Sequence, residues 1–115
     1  MKKSEFRRLI REEIKKVIKE VSNEDLLSML RSYISADYTA DQGWGDDVRQ
    51  AEEDKKRIEA EIIKLKGKSY FDALDFFASQ NTYDSEYAGP EESAEIQGNL
   101  KKYAKKLGFT MDQLL

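Results

Sequence analysis

Apolar residues in the first stretch of the chain fall at Phe6, Leu9, Ile10, Ile14, Val17, Ile18 and Val21. Steps of three and four residues put them on one stripe, so the spacing predicts an amphipathic helix from about Ser4, its N-cap, to Val21. A second helix is expected to begin at Ser22 or Asn23, with Glu24 and Asp25 near the positive end of its dipole. Its apolar face is Leu26, Leu27, Leu30, Tyr33 and Ile34. From Ser35 to Asp46 the period lapses, and the glycines on either side of Trp44 reinforce the reading of a loop. Helical spacing returns at Asp46 or Asp47, acting as a cap, and continues to Lys66 before Gly67. The seam of this third helix is Val48, Ala51, Ile58, Ile62 and Leu65, and Lys55 interrupts it, which predicts looser packing in the first half.

A fourth helix is expected over Ser69 to Gln80, carrying Tyr70, Phe71, Leu74, Phe77 and Ala78 to the centre of the core. Asn81 to Pro90 reads as a second polar and aromatic loop, with Pro90 suited to the first turn of the helix that follows. That fifth helix, about Glu91 to Leu107, has its seam at Ile96, Leu100, Tyr103 and Leu107 and ends at Gly108. Thr110, Asp112 and Gln113 begin a final turn that docks Met111, Leu114 and Leu115. Neither a strand-like alternation nor an internal repeat is present. The expected fold is therefore all-α: a small bundle of about five helices, whose N-terminal amphipathic helix is either detached or used for oligomerisation.

Composition narrows the chemistry. A chain of 115 residues with 39% hydrophobic and 37% charged residues can bury a core and is too apolar for a wholly disordered protein. It has neither cysteine nor histidine, which removes disulfides, thiolate and ordinary zinc sites, cysteine nucleophiles and Ser-His catalysis. The carboxylate pairs Glu12-Glu13, Asp46-Asp47, Glu52-Glu53 and Glu91-Glu92 are helical neighbours pointing about 100° apart, unlike two acids facing each other across a cleft. Asp37, Asp41, Asp46 and Asp47 suggest calcium, yet counting from Asp37 puts Gln42 where a calcium loop needs glycine and Val48 where it needs glutamate. The glycines form no phosphate-binding loop. A non-enzymatic protein without cofactors or metals is expected, and no apolar run approaches the ~20 residues of a membrane span or the centre of a secretory signal.

Charge divides the chain into a basic amphipathic segment, residues 1–21, and an acidic helical domain, residues 22–115. Eight Lys/Arg stand against four Asp/Glu in the first, which leaves 12 against 19, or −7, in the second of a chain whose total is −3. The basic segment is suited to phosphates or anionic lipid, but Glu5, Glu12, Glu13 and Glu20 interrupt it and the acidic body repels both. Contact with protein, or with a second copy of the chain, is the expected use of its stripe, with Phe6, Ile10, Ile14 and Val17 as candidate contacts. Tyr38, Trp44, Tyr83 and Tyr87, in the two expected loops, either pin those loops to the core, the commoner use, or form a contact surface.

The segment from Met1 to Glu20, MKKSEFRRLIREEIKKVIKE, resembles the N-termini of many small proteins of T4-like tailed bacteriophages, particularly marine ones, and their capsid-targeting leaders. Such leaders bring proteins into the assembling prohead and are removed by a protease that cuts after Ile or Leu, any residue, then Glu. Ile10-Arg11-Glu12 and Ile18-Lys19-Glu20 match that pattern and no later position does, which makes Glu12 and Glu20 the candidate cleavage residues. The resemblance implies a virion, internal head or structural protein, found in the host cytoplasm or the virion, whose partner is the phage head or scaffold. The alternative is an inhibitor or regulator that binds a host protein through the acidic third helix and its loops.

Overall fold

In the computed structural model, which describes residues 22–115, Ser22 opens the first helix as a cap: its Oγ accepts from the backbone N–H of Asp25 at 3.1 Å. That bond satisfies one of the donors left free at a helix start, and Glu24 and Asp25 complement the dipole there. The expected first helix, with Phe6, Ile10, Ile14, Val17, Glu12 and Glu20, lies outside the described residues. Five helices follow: α1 (Asn23–Gln42), α2 (Asp46–Lys66), α3 (Lys68–Glu86), α4 (Pro90–Leu107) and α5 (Met111–Leu114). No strand occurs among the described residues, so the protein is an all-α bundle.

Two helices run further than the spacing predicts. The expected loop at 35–46 is mostly helix, because α1 continues to Gln42 and only Gly43, Trp44 and Gly45 remain as the turn. The inward face of this extension carries Ala36, which is buried, and Asp37, whose carboxylate meets partners on α2 and α3. A polar residue at a core-facing position erased the apolar period without ending the helix. The expected loop at 81–90 fails in the same way: α3 continues to Glu86, with Thr82 buried on its inner side. Only Tyr87, Ala88 and Gly89 separate α3 from α4.

Glycine shapes both turns of the first three helices. At Gly43 a side chain would bring Cβ within 2.5 Å of the Thr39 carbonyl oxygen, so only glycine lets the chain leave α1 this tightly. Gly67 is the single residue between α2 and α3, at φ 93° and ψ 167°, a backbone region essentially confined to glycine. Pro90 fills the first position of α4, and Thr110 with Gln113 forms a reciprocal capping box on α5.

α1 packs most extensively on α2 and then on α3, α3 on α4, and α5 bridges α1 and α4. α1 and α3 thus hold the centre. Leu30, Ile62, Leu74, Phe77, Leu100 and Leu114 are fully enclosed, and Tyr33 meets Phe71 edge to face at 5.3 Å. The expected centre at α3 is confirmed by Phe71, Leu74, Phe77 and Ala78, while Tyr70 is half-buried and donates to the Leu107 carbonyl at 2.7 Å. Along α4, Ala104 is buried where Tyr103 is half-buried and lies against Phe76. Val48, Leu65 and Leu27 are likewise half-buried. In the final turn Leu114 docks as expected, but Leu115 is exposed.

Candidate interaction surface

The longer helices relocate the predicted aromatic residues. Tyr38 lies on α1 and Tyr83 on α3, not in loops, and Tyr87 caps the end of α3. Trp44 sits in the turn between α1 and α2, at 87% exposure, and Tyr87 opens the short link from α3 to α4. Extension of α1 to Gln42 and of α3 to Glu86 brings the last turns of both helices side by side. There the Tyr38 hydroxyl donates to Glu86, and the Tyr87 hydroxyl donates to Asp41 Oδ2 at 3.2 Å while accepting from Gln42 at 3.0 Å. The Tyr83 hydroxyl reaches Glu92 in the first turn of α4 at 2.9 Å. Tyr83 and Tyr87 lie 5.8 Å apart, ring to ring. Three of the four predicted aromatics therefore form one patch, and Trp44 stacks on no other ring among the described residues.

Beneath this patch is a polar cluster that spacing alone did not reveal. Asp37 accepts from the Lys55 ammonium at 2.7 Å through Oδ1 and from the Thr82 hydroxyl at 2.7 Å through Oδ2. Lys55, the residue that breaks the α2 seam, also lies 5.5 Å from the centre of the Tyr33 ring. One turn along the same α1 face, the Tyr33 hydroxyl donates to Asp75 at 2.7 Å. A signal was available: Asp37, Lys55 and Thr82 each occupy a position in phase with the apolar face of their helix, as a matched inward polar set would.

Two phenols at the patch, Tyr38 and Tyr83, are held in the protonated form by neighbouring carboxylates. The Tyr38 hydroxyl is raised above its ordinary range by its hydrogen bond to Glu86 and by that carboxylate's charge, and Tyr83 is raised in the same way by Glu92. Tyr33 is raised chiefly by burial, then by its bond to Asp75. These groups act as hydrogen-bond donors, the opposite of an activated phenolate nucleophile. An open hollow beside them is lined by Asp41, Tyr83, Tyr87 and Ser79, with the Asp37–Lys55–Thr82 cluster at its base. Chemically it offers aromatic faces ringed by carboxylates, which suits contact with a cationic or amphipathic protein surface.

No family model, curated protein or solved structure matches the chain. Asp37, named above in a calcium reading, is on a helix and engaged by Lys55 and Thr82. Asp46 and Asp47 stand in the first turn of α2, where they complement its dipole. No group of three or more metal-binding side chains is assembled among the described residues, and none of their helices is long and apolar enough to cross a membrane.

Proposed function

We propose that this is a non-enzymatic helical protein of a tailed phage that acts by protein–protein contacts in or around the particle, with residues 1–21 as a capsid-targeting leader. The reading rests on one coincidence of position. Both Ile-x-Glu motifs end before Ser22, the residue whose own hydroxyl caps α1. Hydrolysis after Glu20 would leave that cap, and every helix after it, intact. Neither motif recurs in residues 22–115, which carry the five described helices. Intact mass spectrometry after incubation with the prohead protease of the source phage tests this. A product beginning at Val21 or Glu13 supports it, and a full-length mass in the presence of active protease refutes it.

The patch of Tyr38, Tyr83 and Tyr87 with its carboxylates favours a second reading, a regulator that binds a host protein with a basic surface. Capture of a single host factor, lost when Tyr83 and Tyr87 are replaced by serine, would favour that reading over a head protein.

A further inference from the structure

The outer face of α3 is left open by the described helices. Ser69, Asp72, Phe76, Ser79, Tyr83 and Glu86 are all exposed on it, at steps of three, four, three, four and three, the spacing with which one helix presents a stripe to another. Phe76 and Tyr83 are its large apolar groups, one on each side of the small Ser79. Phe76 has no hydroxyl to tie down, and it stacks on Tyr103 of α4 at 4.4 Å, which widens the apolar surface across both helices. Charge is divided along this face. Phe76 and Tyr103 line a shallow hollow at the start of α3 together with Lys66 and Lys106, and Asp72, its one acid, is held by Lys68 at 3.0 Å. At the far end Glu86, Glu91 and Glu92 stand by Tyr83 and Tyr87. The ion pairs among the described residues use neither those two lysines of the hollow nor those three carboxylates.

We infer that this face is the interface of a two-fold symmetric dimer, in which the α3 helices of two copies lie antiparallel and cross beside Ser79. Rotation about that point sets Phe76 of each copy against Tyr83 of the other, with serine between the backbones at the centre. α4 runs antiparallel to α3: Tyr103 lies by Phe76, and Gln97 donates to Asp84 at 3.0 Å. The level of Ser79 on α4 therefore falls near Leu100, about midway between Glu92 and Lys106, so the same rotation brings Lys106 of each copy to Glu92 of the other. A partner for this face needs aromatic groups at the same spacing and the opposite order of charge. The face run backwards supplies both, and that self-complementarity is what a two-fold interface requires. A polyanion laid along it would meet lysines at one end and carboxylates at the other, which favours a second copy.

The full chain, which has no cysteine, tests this. Sedimentation equilibrium should show monomer giving way to dimer, and to nothing larger, as concentration rises, because the closed two-fold leaves no open end. Lys106→Glu and Glu92→Lys each set like charges against one another at two places and should raise the dissociation constant about tenfold. An equimolar mixture of the two variants should dimerise as the parent does, since each charge then faces its opposite. On mild oxidation Ser79→Cys should cross-link to the same residue of the second copy, whereas Ser69→Cys, about 30 Å from its counterpart in the antiparallel arrangement, should not. All four substituted side chains are exposed, so the fold is kept. Three results overturn the inference: a chain still monomeric at about 1 mM, a dimer that neither charge change weakens, or equal cross-linking of the two cysteine variants. The second and third would place the dimer on another surface.

Discussion

Replacing Asp37 by alanine removes a carboxylate that joins α1 to both α2 and α3 through polar bonds. Thr82, at 6% exposure, loses the acceptor at 2.7 Å that satisfies its hydroxyl. Water has little access there, and a hydrogen bond to a charged group is worth about 1.5–3 kcal/mol. Lys55 also loses its carboxylate, but its side chain is 27% exposed and can turn to solvent, so that pair adds only about 1 kcal/mol. Together the expected loss is about 2–4 kcal/mol, well beyond a surface substitution and read by urea unfolding followed by far-ultraviolet circular dichroism. Asp37→Asn, which still accepts from Thr82, should lose about 1 kcal/mol. In a double-mutant cycle, Asp37→Ala and Lys55→Met should couple by about 1 kcal/mol. If Asp37→Ala shifts stability by less than about 0.5 kcal/mol, as exposed sites do, the cluster does not hold the helices together and the account of why α1 extends past residue 35 is wrong.

Gly67→Ala meets no neighbouring atom within 4 Å, so its cost is backbone strain alone, about 1–3 kcal/mol, and a melting temperature equal to the parent's would refute the assignment of a glycine-only hinge. Tyr70→Phe removes the hydroxyl bonded to Leu107 and should cost about 0.5–1.5 kcal/mol at neutral pH. Burial pushes Tyr70 up to about 12 from 10.0, so its hydroxyl stabilises the fold fully below pH 10 and progressively less toward pH 12. The gap between parent and variant should therefore close across that window, and a pH-independent gap would show that the phenol is not held protonated. Trp44→Ala, at a side chain 87% exposed, should leave unfolding within about 0.5 kcal/mol of the parent, and a larger loss would show that Trp44 packs on the fold.

The helix seams were legible because apolar side chains announce their own period: Leu26, Leu30, Ile58, Ile62, Leu74, Phe77, Ile96 and Leu100 all lie where spacing puts them. Caps were legible for a related reason, since Ser22, Gly108 and the Thr110–Gln113 box act through local bonds and Pro90 through its fixed backbone angle. What could not be read was the last two turns of α1 and the last turn of α3. Their inner positions, Asp37 and Thr82, are justified only by each other and by Lys55, at sequence separations of 45 and 18. A residue that looks like a loop signal in one helix becomes an inward-facing residue when its partner arrives from another; phase with the apolar face marks the position, but only the distant partner explains the polar side chain there.

The same logic reassigns the four aromatics. Tyr38, Tyr83 and Tyr87 each spend a hydroxyl on a carboxylate of a neighbouring turn, so they tie the ends of α1, α3 and α4 together even if they also meet a partner. Their loss by truncation would mix the two effects. Tyr→Phe changes keep the ring area that a partner would bury and remove only the tie, whereas the Trp44 side chain carries a large exposed apolar surface and hydrogen-bonds to no other side chain among the described residues. A partner that needs the aromatic end should thus depend on Trp44 or on the rings of Tyr83 and Tyr87, while the fold should depend on their hydroxyls. The separation of ring from hydroxyl, residue by residue, distinguishes a surface that recognises a protein from one that only closes its own helix ends.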